Sequence, residues 1–409
     1  MSQQTLPVLA PVPRITVHAF CLNPETGVAI QRAAEDRRLR RAAFSVEMGG
    51  TAAALARYAT SPSPNLIIIE TSDRARDILA DLDRLAEHCD SGTRVVVVGA
   101  ANDVRLYREL MRRGVSEYLI APVDPLQLIE SVSALYTDPD APPIGRSIAV
   151  VGAKGGVGAS TVAHNIGWAL SGLVEAQVTL VDLDLAFGTA SLDFNQDASH
   201  GLADALTAPD RLDPVMLDRL LVECRENFNI LPAPSSLERD YELAPEAFET
   251  VLEVIRRSVP FVVMDVPHVW TAWTRQLLLT ADEVVIVAAP DLACLRNTKS
   301  LVELIVKSRP NDRSPRLVVN QVGVPKRPEI PLKDFAEAIE LEPTVAIPFD
   351  PQLFGTAANN GQMISELQAA ARPVASFDTV ARILSGRTFE PEKPKTGFAS
   401  ILAALKKTR

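Results

Sequence analysis

The stretch of sequence that decides the fold is SIAVVGAKGGVGASTVAHNIGWAL, residues 147–170. Its apolar start predicts a buried strand, its glycine-rich middle a tight turn, and its end an amphipathic helix. Glycine lets the backbone N–H groups of such a turn converge on an anion without Cβ clashes, and the helix N-terminus adds its dipole. A hydroxyl at the helix start suits the Mg²⁺ that accompanies a nucleotide. The stretch therefore predicts an α/β fold with a phosphate-binding loop.

The composition argues against several classes of protein. The length of 409 residues suggests two or three domains. Hydrophobic residues make up 47% of the chain and charged residues 22%, values typical of a globular protein. A formal charge of −10 argues against a protein that coats DNA by bulk electrostatics. The four cysteines stand alone in the sequence, which disfavours zinc or disulfides and fits a reducing cytoplasm. We expect no membrane-spanning segment and no secretory signal, because the sequence shows neither a long enough apolar run nor the pattern of a signal peptide.

Two proline-bearing segments, residues 137–143 and 389–395, predict linkers, because proline continues neither a helix nor a central strand. They divide the chain into successive parts. The prediction is a disordered N-terminus (1–13), a first domain (14–137), a linker (138–146), a second domain (147–388) and a tether with a short amphipathic tail (389–409).

In the first domain, short apolar runs alternate with helical patterns. The predicted strands are residues 14–20, 43–48, 65–70, 94–100 and 116–122. Apolar strands that alternate with amphipathic helices are typical of a parallel sheet covered on both faces. The pattern predicts a flavodoxin-like domain.

The second domain repeats this alternation and predicts a mostly parallel sheet covered by helices. Its predicted strands are residues 147–153, 177–184, 261–267, 283–290, 316–322 and 344–350. Asp182 and Asp184 end the second of these strands. Because residues two apart on an extended strand point the same way, their carboxylates are expected on one face. A polar strand end that faces solvent is the plainer interpretation.

The segment KGGVGAST, residues 154–161, resembles the deviant Walker A motif of the ParA/MinD group of P-loop ATPases. The resemblance implies ATP and Mg²⁺ as cofactors and a homodimer that sandwiches the nucleotides. In that family the lysine at the position of Lys154 reaches the partner's phosphates. The resemblance further implies that the phosphates are cradled by Gly155, Gly156, Val157, Gly158 and Ala159, with Ser160 on Mg²⁺ and Thr161 near the α-phosphate.

One position departs from the general P-loop pattern. Ala159 stands where an ordinary P-loop carries the lysine that stabilises the β- and γ-phosphates. Loss of that cation is expected to weaken nucleotide affinity, hydrolysis or both, and Lys154 would supply the charge only in a dimer. The resemblance therefore implies a slow ATPase.

Two further motifs resemble the same family. Residues 181–194 resemble its switch I, which implies that Asp184 positions the attacking water and that Asp182 lies near the metal. Residues 261–267 resemble its Walker B strand, which implies that Asp265 is a water-mediated partner of Mg²⁺.

Other positions are less specific. Asn320 matches a position that reads the adenine edge in that family, and Pro348 matches a loop that packs on the base. A turn residue is the plainer interpretation of Asn320. His268, Trp270 and Trp273 follow the Walker B strand and form either a partner-facing surface or, more simply, an aromatic core with a capping histidine.

The first domain resembles a response-regulator receiver domain without its phosphorylation chemistry. The acidic pair that should follow its first strand is missing, the phosphoacceptor position falls on Glu70, and the lysine position falls on Ala121. Glu70 is either an imitation of a permanently charged acceptor or a plain polar strand end. We expect an interaction or localisation module.

A receiver-like domain joined to a ParA/MinD-like ATPase is the layout of the CpaE/TadZ proteins of type IVb (Flp/Tad) pilus assembly. Stretches such as residues 99–123, 265–279 and 347–366 resemble that family, and the likeness covers about 14–388. It implies a nucleotide-dependent, dimerising localisation factor that recruits the pilus secretion machinery or polar localisation proteins. Such a factor would act in the cytoplasm, at the cell pole or peripheral to the inner membrane.

The tail, residues 396–409, places apolar side chains on one helical face and cations at its end. This pattern fits a weak peripheral membrane contact, a partner-binding helix or docking on the protein's own domain.

Two alternatives to a pilus ATPase switch stay open. One is a ParA-type DNA-partition ATPase, whose candidate basic surface is Lys307, Arg309, Arg313, Arg316, Lys326 and Arg327. A solvated face is the simpler interpretation of these residues, and the acidic total argues against DNA. The other is a scaffold that binds nucleotide without hydrolysis.

Overall fold

A computed structural model describes residues 12–71, 75–90, 92–137, 144–198, 200–234 and 244–386. The predictions for residues 1–11, for 138–143 of the linker and for the tether and tail at 389–409 lie outside these ranges. Val12, which the sequence placed in a disordered N-terminus, is buried in the first domain, and its N–H donates to the Arg38 carbonyl at 3.1 Å. In the described ranges, no helix has the length and apolar character needed to cross a membrane.

The first domain alternates strands and helices along the chain. Its strands are β1 (Thr16–Cys21), β2 (Ala43–Met48), β3 (Leu66–Glu70), β4 (Arg94–Gly99) and β5 (Glu117–Ile120), and its helices are α1 (Pro24–Ala34), α2 (Gly50–Tyr58), α3 (Ala75–Ala86), α4 (Val104–Arg112) and α5 (Pro125–Tyr136). The strands form a parallel sheet in the order β2-β1-β3-β4-β5. This order confirms the flavodoxin-like prediction.

Both faces of this sheet are buried, as the continuous apolar strands predicted. Leu66 and Ile68 of β3 pack in one core, whereas Ile67 and Ile69 pack in a second core on the other face. Side chains of a strand alternate between faces, so one apolar run of β3 supplies both cores.

The second domain is larger. Its strands are β6 (Arg146–Gly152), β7 (Val178–Asp182), β8 (Val222–Arg225), β9 (Phe228–Leu231), β10 (Phe261–Val266), β11 (Glu283–Ala288), β12 (Arg316–Val322) and β13 (Val345–Pro348). Its helices are α6 (Ala159–Val174), α7 (Ala190–Asp193), α8 (Leu202–Thr207), α9 (Pro214–Leu220), α10 (Pro245–Ser258), α11 (Ala272–Thr280), α12 (Leu292–Ser308), α13 (Leu332–Ile339), α14 (Pro351–Asn360), α15 (Ile364–Leu367) and α16 (Arg372–Ser385), with a 3₁₀ turn at Pro209–Arg211.

These strands form an eight-stranded sheet in the order β13-β12-β11-β6-β10-β7-β9-β8. All pairs are parallel except β8 with β9, which form an antiparallel edge hairpin that the sequence did not predict. The strand that precedes the glycine loop, β6, lies between β11 and β10. Because carboxyl ends of parallel strands share one edge, the loops after β6, β7, β10, β11 and β12 converge there.

The two domains meet at the opposite edge of this sheet. Arg37, between α1 and β2, reaches the second domain, where its Nε donates to Asp312 Oδ2 at 2.9 Å and its Nη2 to Asp282 Oδ1 at 3.2 Å. Its Nη1 donates to the carbonyl of Thr280 at 2.8 Å. Asp282 also accepts from the backbone N–H of Ser147 at 2.9 Å, at the start of β6. The first domain is therefore docked away from the glycine loop.

Glu70 at the end of β3 holds its own domain together. Its carboxylate is 7% exposed and accepts from the N–H groups of Leu22 and Asn23 at 2.7 and 2.8 Å and from Thr26 Oγ1 at 2.8 Å. Both carboxylate oxygens are therefore occupied by the connection from β1 into α1. This placement supports a structural role over imitation of a charged acceptor at the surface.

We expect Glu70→Ala to lower the free energy of unfolding by about 2 kcal/mol, because buried donors would lose their acceptor. Urea denaturation followed by circular dichroism measures the change. Glu87→Ala, at an exposed position of the same domain, is the matched control. An equal midpoint for the two variants would contradict the structural role.

Candidate nucleotide site

The loop after β6 has the backbone geometry of an anion cradle. Gly156 and Gly158 have φ of 77° and 83°, values that L-residues with a Cβ rarely adopt. Val157 between them is buried and anchors the loop, and Gly158 leads directly into α6. A Cβ built on Gly155 or Gly156 meets nothing within 4 Å, so the loop is open on that side.

The side chains at the start of α6 lie where the sequence placed them. Ala159 is the first residue of the helix, and Ser160 and Thr161 follow it, all partly exposed. The carbonyl of Thr161 accepts from Asn165 Nδ2 at 2.9 Å. The two hydroxyls thus begin a helix whose N-terminus faces the glycine loop, a suitable place for phosphate and its metal.

Lys154 contacts an aspartate of its own chain. Its Nζ lies 2.5 Å from Asp291 Oδ2, and its side chain is 43% exposed. Asp291 also caps α12, because its Oδ1 accepts from the N–H of Cys294 at 2.8 Å. Asp291 was not among the residues predicted from the sequence, although an aspartate three residues after the end of β11, at the same sheet edge, was a signal for it.

Two buried carboxylates lie beside the loop. Asp182 ends β7 and pairs in register with Asp265 of β10, and they are 0% and 3% exposed. Burial and the neighbouring charge of Asp265 raise the pKa of Asp182 to about 7. Adjacent buried carboxylates favour a bound cation between them.

Asp184 lies differently from the expectation. Strand β7 ends at Asp182, so the rule that residues two apart point the same way does not extend to Asp184. Its Oδ1 accepts from the N–H groups of Phe187 and Ala186 at 3.0 and 3.3 Å, which closes the turn after the strand. Asp184 therefore lies in a partly exposed loop, next to the buried pair.

His164 on α6 is fully buried against these carboxylates. Its Nδ1 lies 2.8 Å from Asp193 Oδ2 and its Nε2 lies 3.5 Å from Asp265 Oδ2. Burial alone would lower the pKa of His164, but the carboxylates of Asp193 and Asp265 outweigh it and raise that pKa to about 10. The imidazolium of His164 compensates part of the negative charge of Asp193 and Asp265.

The oxygen donors present fit Mg²⁺. Ser160, Asp182 and Asp265 supply a hydroxyl and carboxylates, the hard ligands that Mg²⁺ prefers. Among the residues that the structure describes, no group of three or more His, Cys, Asp or Glu could hold a metal by itself. A Mg²⁺ ion here would therefore depend on phosphate oxygens and water for its remaining ligands.

The two base-contacting candidates lie at the same edge. Asn320 of β12 is buried, and its Nδ2 donates to the carbonyl of Val157 in the glycine loop at 2.8 Å. Pro348 is the last residue of β13 and pairs with Val322. Asn320 thus contacts the loop itself, and its predicted contact with adenine stays a prediction.

The aromatic residues after β10 were interpreted either as a partner-facing surface or as part of the core, and the structure places them differently from one another. Trp273 stacks on Phe248 with centroids 4.3 Å apart and belongs to the packing of α10 and α11. His268 Nδ1 lies 2.9 Å from the carbonyl of Gly152. Trp270, by contrast, is 58% exposed.

The candidate DNA surface does not form one basic face. Arg309 is buried, with its Nε donating to Asp312 at 2.8 Å and its Nη1 to the Leu278 carbonyl at 3.0 Å. Arg327 pairs with Glu329 at 2.9 Å. The prediction that all six residues share a solvated face is therefore wrong for Arg309, because it follows α12 and its guanidinium is buried against Asp312 and the Leu278 carbonyl.

The glycine loop after β6, the hydroxyls that begin α6 and the buried carboxylates of β7 and β10 define the class of protein, a P-loop nucleotide-binding protein. A family model described as an AAA domain matches residues 145–315. The septum site-determining protein MinD of Synechocystis is 27% identical over 254 residues, which are 60% of this chain and 91% of that protein. A ParA family ATPase from Chlorobium tepidum shares the fold with a TM-score of 0.53 and 24% identity, over 58% of this chain and 98% of that one. This part of the chain is similar to the ParA/MinD-like P-loop ATPases.

A further similarity concerns a smaller part of the chain. The pilus assembly protein CpaE of Caulobacter crescentus is 56% identical over 32% of this chain and 98% of the solved chain, with a TM-score of 0.31.

Proposed function

We propose that this protein is an ATP-binding localisation factor for Flp/Tad pilus assembly, which dimerises around the nucleotide and hydrolyses it slowly. The 56% identity to a pilus assembly protein is the observation that carries the pilus role. The glycine loop with its two positive-φ residues supports nucleotide binding. The loop N–H groups and Thr161 would bind the phosphates, and Asp184 would position the attacking water.

Mg²⁺, held by Ser160 and through water by Asp265, would neutralise charge on the phosphates. Ala159 supplies no cation, so the hydrolysis step relies on Lys154. That lysine would have to leave Asp291, its partner at 2.5 Å, before it could reach the phosphates of a second subunit. This exchange of partners is one reason to expect slow turnover.

The same edge exposes large apolar side chains that a second copy could cover. Phe187, Trp270 and Leu292 follow β7, β10 and β11 and are 74%, 58% and 72% exposed. The receiver-like domain is docked at the other edge, where it would remain free to contact the pilus secretion machinery or polar proteins. A weak membrane contact through 396–409 belongs to the same proposal.

Sedimentation velocity of the purified full chain with and without Mg·ATP, with phosphate release followed on the same sample, tests the proposal. We expect a dimer only with Mg·ATP and slow release. Asp184→Ala should keep the dimer and lose release, because hydrolysis is the step that ends the dimer. Asp210→Ala, exposed on the 3₁₀ turn, is the control.

The scaffold alternative is favoured by Ala159 alone and makes the opposite prediction. An equal dimer without nucleotide, together with no phosphate release, would replace the switch with a scaffold. Salt-dependent binding to non-specific DNA would instead favour the partition alternative.

A further inference from the structure

We propose that Asn320 and Gln321, at the end of β12, form an amide clamp that holds the glycine loop in its phosphate-binding conformation. They are positioning residues, since they act through the loop backbone. The inference rests on the proposed nucleotide binding, and it gives Gln321, which the sequence analysis did not single out, a role in it.

Two consecutive side chains reach the same loop. Asn320 Nδ2 donates to the carbonyl of Val157 at 2.8 Å, and Gln321 Nε2 donates to the carbonyl of Gly156 at 2.9 Å. Neighbouring side chains of a regular strand point to opposite faces, so a regular β12 could not present both amides to one target.

An irregularity of β12 resolves this conflict. The register between β12 and β13 shifts between Val319 and Val322, and Gln321 has a φ of 56°, in the left-handed region. A bulge of this kind redirects a side chain and is frequent beside functional sites. The left-handed conformation is strained for a residue other than glycine, so its retention at Gln321 indicates a use.

Peptide geometry explains what the clamp does. In a planar trans peptide, the C=O of one residue and the N–H of the next point in opposite directions. Since the carbonyls of Gly156 and Val157 point at the two amides, the N–H groups of Val157 and Gly158 point away from β12. Backbone N–H groups turned outward in this way are the donors that bind an anion.

The Gln321 side-chain amide is itself held in place by Arg327. Arg327 Nη1 donates to Gln321 Oε1 at 3.3 Å, and its Nη2 donates to the backbone carbonyl of Gln321 and to Glu329 Oε1. Glu329 in turn accepts from the N–H of Gly323 at 3.0 Å. With its oxygen engaged by Arg327, the amide presents its NH₂ to the loop.

The clamp contributes more to phosphate binding here than it would in a loop that has a lysine at the position of Ala159. Without that cation, binding of the phosphates within one subunit depends on backbone donors, and their orientation depends on Asn320 and Gln321. The clamp therefore compensates in part for Ala159.

The test compares Mg·ATP with Mg·tripolyphosphate, a probe that has the phosphates but no base, by isothermal titration of the full chain. We expect Gln321→Met and Asn320→Ala each to weaken the binding of both probes about tenfold, the effect of one lost hydrogen bond of about 1.4 kcal/mol. Gln321→Gly removes the amide while it relaxes the φ of 56°, so a poorly folded variant would not explain its loss. Gln31→Met, at an exposed position of α1, is the control.

Unchanged affinity for both probes in the Asn320 and Gln321 variants would overturn the clamp. If Asn320→Ala weakens the binding of Mg·ATP but not of Mg·tripolyphosphate, the clamp is overturned for Asn320. That result would favour a contact between Asn320 and adenine. If the unaltered chain binds neither probe, the proposed function itself fails, which is a different result from variants that bind as well as the unaltered chain.

Discussion

Replacement of Arg37 by alanine is expected to lower the free energy of unfolding by about 3 kcal/mol, the lower end of the cost of breaking a buried ion pair. Arg37 joins the domains through Asp282 and Asp312, whose side chains are 10% and 6% exposed. Loss of the guanidinium removes three hydrogen bonds at once. We place the cost at the lower end because Arg256 and Arg309 still contact the two carboxylates, at 2.6 and 2.8 Å.

Urea denaturation of the full chain, followed by circular dichroism and tryptophan fluorescence, measures this change. Arg40→Ala is the matched control, since Arg40 lies in the same segment and pairs with Glu249 but is 53% exposed, and exposed pairs contribute less than about 1 kcal/mol. Arg37→Lys should fall between the two, because an ammonium keeps the charge but not the planar fork. Equal midpoints for Arg37→Ala and Arg40→Ala would show that the ion pairs of Arg37 with Asp282 and Asp312 contribute nothing to the docking of the domains.

Gly158→Val is expected to weaken Mg·ATP binding about 100-fold. A β-branched residue is strained at a φ of 83°, and its Cβ would lie 2.7 Å from Asn320 Nδ2. The free loop can relieve this strain by moving, but binding must restore the cradle. About 1–2 kcal/mol of left-handed strain and about 1 kcal/mol for the disturbed Asn320 bond together correspond to about two powers of ten in affinity.

Titration with a fluorescent ATP analogue and Mg²⁺ checks this prediction. Gly172→Ala, at an exposed position later in α6, is the control and should bind as the unaltered chain does. Affinity of Gly158→Val within threefold of that control would mean that the loop after β6 is not the phosphate site.

Much of the fold followed from patterns local to the sequence. The alternation of apolar strands with helices predicted both parallel sheets, and the run from Ser147 to Thr161 predicted the strand, glycine loop and helix that the structure contains. These features depend on side-chain periodicity and on backbone freedom within about ten residues, so they can be recognised without knowledge of the rest of the chain. The hairpin of β8 and β9 was not predicted because each strand has only four residues, too few to show a clear periodicity.

The sequence by itself determined the family resemblance, the loop that would hold phosphate and the absence of a lysine at Ala159. Only the tertiary structure decided what surrounds them: Asp291 on Lys154, the buried Glu70, Arg37 between the domains and the bulge that turns Gln321 toward Gly156. The physical reason is separation along the chain. Arg37 and Asp282 are 245 residues apart, and Gln321 and Gly156 are 165 apart, so no local pattern encodes their contact, and each pair meets only when the sheet is assembled.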